Sequence, residues 1–305
     1  MDRPEPIALH EDRVADLRAR WTPEATAAAV AFLESRPLNF DLPTMEHGGT
    51  TYLDLRGLRI EQTQIDKAYL RNVNLRWAVF RDVGFKNARF AGCNLSQVNF
   101  SDCYLRRAQF EKCDLVNSRF ESCDFSQAVI SESRVDFATF RNCEISLETI
   151  KFRKDATPRA MVRVCRGLKL NAMSMGNFAD AGELTYLEKT YERIGHFRDH
   201  AWGRWLGSAA QDLLWGYGER PWRLAFAMAF NIVLFGTLFH VLDPLPDKTF
   251  WEHVYFSGIT YLTVGYGDLS PATPVARLMS VLCAAAGIAT FGLLIASVTK
   301  KVMYR

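Results

Sequence analysis

Leu95-Ser96-Gln97-Val98-Asn99-Phe100-Ser101-Asp102-Cys103-Tyr104-Leu105 sets a large apolar residue at every fifth position and a small one two residues before it. Outward from this stretch the beat never misses between Leu55 and Ile150. It runs through Ile60, Ile65, Leu70, Leu75, Phe80, Phe85 and Phe90 on one side, and Phe110, Leu115, Phe120, Phe125, Ile130, Val135, Phe140 and Ile145 on the other. The small partner recurs as Ala68, Val73, Ala78, Val83, Ala88, Cys93, Ala108 and Cys113. Such a period fits neither a helix nor a strand. It fits a solenoid in which each five-residue unit makes one side of a square coil, with large residues on the axis, small ones beside them and polar ones in water.

The pattern resembles the pentapeptide-repeat family, which implies a right-handed quadrilateral β-helix with four units per coil. Roughly twenty units then make about five coils, each rising about 4.8 Å, for a rod about 24 Å tall. Thr22-Pro23-Glu24 has the cap residue and first-position proline of a helix start. A helix from there to about Ser35 would cover the open end of the rod, where strand edges are otherwise bare.

Cys93, Cys103, Cys113, Cys123 and Cys143 fall on the small inward position, where cysteine acts as a small hydrophobe. Cys93 and Cys113 are expected to stack in adjacent coils, as are Cys103, Cys123 and Cys143. No CxxC and no accompanying histidine favours a metal or redox ladder, and buried thiols agree with a reducing cytoplasm. Some pentapeptide-repeat proteins mimic DNA through an acidic surface. Here Arg56, Arg59, Arg71, Arg76, Arg81, Arg106 and Arg107, among others, nearly balance the carboxylates of residues 51–150. The charges do not cluster by sign, so no nucleic-acid partner is expected.

Residues 151–220 lose the period. Ala160–Leu170 and Ala181–Ile194 read as amphipathic helices separated by Ser174-Met175-Gly176-Asn177, a hairpin suited to capping the last coil. Trp202, Trp205, Leu206, Leu213, Leu214 and Trp215 then mark a helix that either lies on the inner leaflet or is a buried linker. Gly216-Tyr217-Gly218 reads as the turn before Pro221.

Two apolar runs follow, Leu224–Leu242 and Val275–Thr299. At about 1.5 Å per residue each crosses a hydrocarbon core of roughly 30 Å. Asn231 interrupts the first run, where it suits a bond across a helix interface, and His240 suits the outer boundary. Arg204, Arg220 and Arg223 precede the first run, and Lys300, Lys301 and Arg305 follow the second. Between them lie Asp243, Asp247, Glu252 and Asp268 against Lys248. The positive-inside rule puts both termini in the cytoplasm and the loop outside.

Between the runs, Thr249-Phe250-Trp251-Glu252 has a capping-box spacing, and the apolar stretch to Leu262 makes roughly three to four helical turns. The helix end, partly negative, would favour a cation. Gly258 inside it has no evident purpose. Thr263-Val264-Gly265-Tyr266-Gly267-Asp268 comes next. For successive carbonyls to point one way, the backbone must alternate between right- and left-handed regions, which glycine permits at Gly265 and Gly267. Val264 and Tyr266 then point outward to fix the diameter, and Asp268 sits at the mouth.

This hexapeptide is the known signature of K⁺ selectivity filters, and residues 221–305 resemble the two-helix potassium channel pore. The resemblance implies a homotetramer around one conduction path, with K⁺ held by the backbone carbonyls of Thr263, Val264, Gly265 and Tyr266. It places a hinge at Gly287, where the alternative is small-residue packing, and Gly292 shares that choice. Ile288, Phe291, Ile295 and Thr299 recur on one face of the second run as a candidate cavity wall. Leu262 departs from the family's frequent threonine, which touches filter rigidity.

The expected organisation is an N-terminal helical cap (1–50), a pentapeptide-repeat β-helix (51–150), a helical linker with a membrane-proximal helix (151–220) and an all-α pore domain (221–305). Passive K⁺ conduction requires no catalytic residue, so no enzyme and no cofactor are expected; K⁺ is the permeant ion. No helix carries arginine at every third position, so no voltage sensor is expected. The implied setting is the inner or plasma membrane, with an unidentified cytoplasmic ligand or protein for the rod. The rival reading is a membrane-anchored scaffold in which the rod recruits a partner and the two spans only tether it.

Overall fold

The computed structural model describes residues 14–34, 42–47, 49–242, 245 and 247–303. The chain divides into two compact units, residues 1–195 and 196–305.

In the first unit the five-residue beat becomes a β-solenoid of about five coils. One parallel sheet stacks β3 (Arg59–Gln64), β6 (Val79–Gly84), β8 (Asn99–Ser101), β10 (Arg119–Glu121) and β12 (Thr139–Arg141) in that order. A second stacks β4 (Tyr69–Arg71), β7 (Arg89–Ala91), β9 (Gln109–Glu111), β11 (Val129–Ser131) and β13 (Ile150–Lys151). Registers such as Phe80↔Phe100, Phe90↔Phe110 and Ile130↔Ile150 advance by one four-unit coil. The other two sides close through single bridges, Asn74↔Asn94↔Asp114 and Gly84↔Tyr104↔Asp124 among them. At the N-terminal end β1 (Thr44–His47) lies antiparallel to β2 (Thr50–Asp54), which pairs with β5 (Val73–Asn74).

The axis holds the large residues as a phenylalanine ladder. Phe80, Phe100, Phe120 and Phe140 follow one another with ring centroids 5.1, 5.1 and 5.2 Å apart, and Phe90–Phe110 are 4.7 Å apart. Coil spacing brings each ring into van der Waals contact with the next. The inward cysteines are all buried and free, and their thiols donate to carbonyls one coil back. Cys93 reaches Leu70 at 3.3 Å and Cys143 reaches Phe120 at 3.4 Å.

The corners hold a feature that the period does not announce. Two residues after each axial position from Leu55 to Phe140 the backbone is left-handed, with φ of 63° at Trp77, 58° at Asn87, 56° at Arg107 and 59° at Phe137. Most of these residues are not glycine, and each left-handed turn costs roughly 1–2 kcal/mol. The return is a ladder bond at the corner: the amides of Asn87 and Arg107 donate to the carbonyls of Arg106 and Ser126 on the next coil at 3.0 and 2.9 Å.

Both rod ends are covered. A helical stretch over residues 14–19 (α1) precedes α2 (Pro23–Leu33), whose N-cap Thr22 accepts from the Ala25 amide and which buries Ala29 and Leu33. Ser35, the expected end of this helix, lies outside the described residues. Arg20 and Arg56 both bond the Asp54 carboxylate, at 2.9 and 2.8 Å, and Trp21 Nε1 donates to the Arg56 carbonyl. At the other end α3 (Pro158–Ser174) and α4 (Phe178–Arg198) form the expected hairpin. Val164, Cys165, Leu168, Ala181 and Leu184 join the solenoid core. Asn171 closes the last coil as a strand would: its Nδ2 donates to the Cys143 carbonyl and its Oδ1 accepts from the Cys143 amide, each at 2.9 Å. Buried Glu188 ties the hairpin by accepting from Arg166 and Lys169. Burial pushes its carboxyl up, but these two cations outweigh that and hold it below the ordinary range.

The second unit is helical: α5 (Trp202–Trp215), a tight turn at Gly216–Gly218, α6 (Pro221–Leu242), α7 (Phe250–Tyr261) and α8 (Pro274–Met303). No residue of α5 is buried within the single chain. Arg223 near the start of α6 bonds Asp212 of α5 at 2.7 Å, and Lys300 near the end of α8 pairs with the buried Glu219. Pro221–Leu242 and Pro274–Val302, of 22 and 29 residues, are long and apolar enough to cross a membrane; at helical rise they span roughly 33 and 44 Å. Asp243 and Arg305, used for orientation, lie outside the described residues.

Candidate functional site

The hexapeptide Thr263–Asp268 leaves the C-terminal end of α7 as a non-helical segment before α8. α7 starts where expected. Thr249 offers its amide and hydroxyl to the Glu252 carboxylate, at 2.8 and 3.0 Å. Its last turn is bound to the segment that follows: Leu262 N–H donates to Gly258 at 2.9 Å, Thr263 N–H to Thr260 at 3.0 Å, and the Val264 and Gly265 amides both to Ile259, at 2.8 and 3.2 Å.

That use of donors sets the chemistry. The first amides of the segment turn back onto the helix end, and left-handed residues alternate, with φ of 55° at Thr263, 57° at Gly265 and 79° at Gly267. Gly265 and Gly267 were legible as left-handed; Thr263, a β-branched residue for which that region is strained, was not. Among the described residues nothing in the chain donates to the carbonyls of Thr263, Val264, Gly265 or Tyr266. All four residues are exposed in the single chain, so their carbonyls are free to take a cation or water. At the far end of the segment, Asp268 Oδ2 accepts from Tyr255 Oη of α7 at 2.9 Å. Val264 and Tyr266 are exposed in the single chain, 48% and 73%, as is Leu262 at 50%.

Tyr261, which no sequence pattern marked, holds the segment in place. It is buried, and its hydroxyl accepts from Asn231 Nδ2 of α6 at 3.1 Å and lies 2.7 Å from Thr290 Oγ1 of α8. Asn231 therefore does bond across a helix interface. Its backbone matters equally. A Cβ on Gly287 would fall 1.8 Å from the Tyr261 carbonyl oxygen, so α8 meets the end of α7 only because that residue is glycine. Gly236 does the same for α6 and α7, where a Cβ would stand 2.8 Å from the Val254 Cα. At Gly292 there is nothing within 4 Å, and at Gly258 only Ile232 at 3.7 Å, so space explains neither. Ser257 adds a bond from α7 to the Ile232 carbonyl at 2.8 Å. The candidate wall residues Ile288, Phe291, Ile295 and Thr299 are all exposed on α8, while Gly287 is buried.

Comparison with known proteins covers the two units separately. Residues 227–304 match the family model described as an ion channel, and residues 63–146 match that of the pentapeptide repeat region. The chain is 34% identical over 56 residues to the putative potassium channel protein YugO of Bacillus subtilis, and 32% identical over 79 residues to the mouse potassium voltage-gated channel subfamily A member 10. These stretches are 18% and 23% of this chain, and the chain spans only 17% and 14% of the relatives' own lengths.

Among solved structures, the pentapeptide repeat protein Rfr23 of Cyanothece 51142 is similar at 16% identity and a TM-score of 0.23, over 34% of this chain and 88% of that one. HetL of Nostoc sp. PCC 7120 is similar at 18% identity and a TM-score of 0.16, over 28% and 38%. Scores this low carry no argument, and the solenoid stands on its own ladders. The chain therefore carries a pentapeptide-repeat region followed by an ion-channel domain related to those of potassium channels.

Proposed function

We propose that this chain is the subunit of a potassium-selective channel that conducts passively across the inner or plasma membrane. One observation carries the reading: four consecutive carbonyls, from Thr263 to Tyr266, find no donor in a segment whose left-handed residues alternate. Four copies around an axis turn these oxygens into rings that replace the hydration shell of K⁺. A homotetramer also covers Val264 and Tyr266, which one chain leaves bare.

In this assembly α6 is the outer span and α8 lines the path with Ile288, Phe291, Ile295 and Thr299. Gly287 is the close contact with Tyr261, and Gly292, with open space around it, is the candidate hinge of α8. Arginines before α6 and lysines after α8 support a topology with both termini in the cytoplasm and Asp268 at the outer mouth. The pentapeptide region is then cytoplasmic, and a ligand or protein bound there acts on α6 through the segment before Pro221.

Reconstitution into liposomes with separate K⁺ and Na⁺ flux assays tests the proposal. A channel passes K⁺ far better than Na⁺, whereas a tethered scaffold passes neither. Removing residues 1–200 tests the regulatory part, and an unchanged open probability would rule it out.

A further inference from the structure

His253 lies in the first turns of α7 and is fully buried. Its Nδ1 is 2.9 Å from the Thr249 carbonyl, an acceptor, so Nδ1 carries the proton and donates. The tautomer is thereby fixed: Nε2 holds a lone pair, is buried, and has no hydrogen-bond partner among the described residues. An orphaned buried acceptor costs about 1–3 kcal/mol and calls for an explanation.

Beside it stands a second imidazole. The ring of His240, in the last turn of α6, has its centroid 5.1 Å from that of His253, with the planes at 71°. His240 is exposed and makes no ring hydrogen bond among the described residues. Neither ring is used by the hexapeptide or by the contacts of Tyr261.

A separation of 5.1 Å at 71° is ordinary edge-to-face packing, as is the 5.6 Å between His240 and Phe250, and it also matches two imidazoles on one ion. Zinc sits about 2.0–2.1 Å from an imidazole nitrogen, hence about 3.2 Å from the ring centroid, and a tetrahedral angle then holds two centroids about 5.2 Å apart. An N–H donated to a backbone carbonyl, leaving the other nitrogen bare, is also the usual state of a metal-bound histidine. We propose that His240 and His253 form a site for a Zn²⁺-class transition-metal ion that staples the end of α6 to the start of α7, with water completing the coordination. The staple joins the two helices that position Thr263–Asp268, but metal uptake does not depend on the chain being a channel.

Calorimetric titration of ZnCl₂ into the tag-free full chain in lipid nanodiscs tests the site. Wild type is expected to take up one ion per chain. His240→Ala, an exposed change that leaves the buried ring in place, should bind about tenfold more weakly or worse. His196→Ala, in α4, should bind as wild type does. Co²⁺ in place of Zn²⁺ should give a visible tetrahedral absorption band that His240→Ala removes. Absence of uptake by wild type, or His240→Ala binding as tightly as wild type, would overturn the proposal.

Discussion

The carbonyl oxygen of Tyr261 and the Cα of Gly287 are so close that a methyl group on the glycine would stand 1.8 Å from that oxygen. Real contacts never approach this distance, so α8 would have to move away from the end of α7. Tyr261 leads into Thr263–Asp268 within two residues, and its displacement reaches the carbonyls directly.

Gly287→Ala should therefore destabilise the helical unit by about 1–3 kcal/mol, the usual cost of overpacking, and abolish K⁺ flux. Gly292→Ala, with open space around it, should keep the fold and gain up to about 1 kcal/mol of helix stability. Thermal unfolding in detergent, run beside the liposome assay, separates the two.

Tyr255→Phe removes only the hydroxyl that Asp268 accepts from. The expected loss is about 1 kcal/mol, concentrated at the end of the segment. Sustained K⁺ current should decay faster than in wild type, while the melting temperature of the rod stays put. Current traces and circular dichroism on one preparation check both parts.

Asn171→Ala deletes two bonds to the Cys143 backbone and leaves an amide and a carbonyl of the last coil unpaired. About 2 kcal/mol should be lost, and amide exchange should rise first at residues 139–151. Asn171→Asp should recover at most half, because a carboxylate can accept but not donate.

Acid should act on the N-terminal end of the rod through Asp54. Burial raises its carboxyl, but hydrogen bonds from Arg56 and Arg20 outweigh burial and hold it well below the usual 3.8. A depressed folded value gives stability that is fully present above the unfolded value of 3.8 and is lost as pH falls below it. Melting temperature against pH should drop in that acid window. Asp54→Asn should flatten the drop and cost on the order of 3 kcal/mol at neutral pH, because two arginines lose their partner.

The solenoid was legible because its rule is local and repeated: an axial residue every fifth position allows only one closure, and the coil register follows. The left-handed corners were hidden, since Trp77 or Phe137 at such a corner has no signature; the ladder, not the residue, imposes the conformation. The segment Thr263–Asp268, both spans and the capping box were legible from glycine spacing, length and Thr249 with Glu252. Tyr261, Gly236 and Thr290 were not, because their roles come from contacts between helices far apart in sequence. Gly287 was visible as a glycine, but only the Tyr261 carbonyl beside it tells which property of glycine is used.

The most direct measurement is the reversal potential of the reconstituted chain in a planar bilayer with K⁺ on one side and Na⁺ on the other. The proposed carbonyl rings predict a potential close to that of a K⁺ electrode. Gly265→Ala, which puts a side chain at a φ of 57° and strains it by about 1–2 kcal/mol, should carry no current. A reversal potential near zero, or the same K⁺ current from Gly265→Ala, would contradict the account.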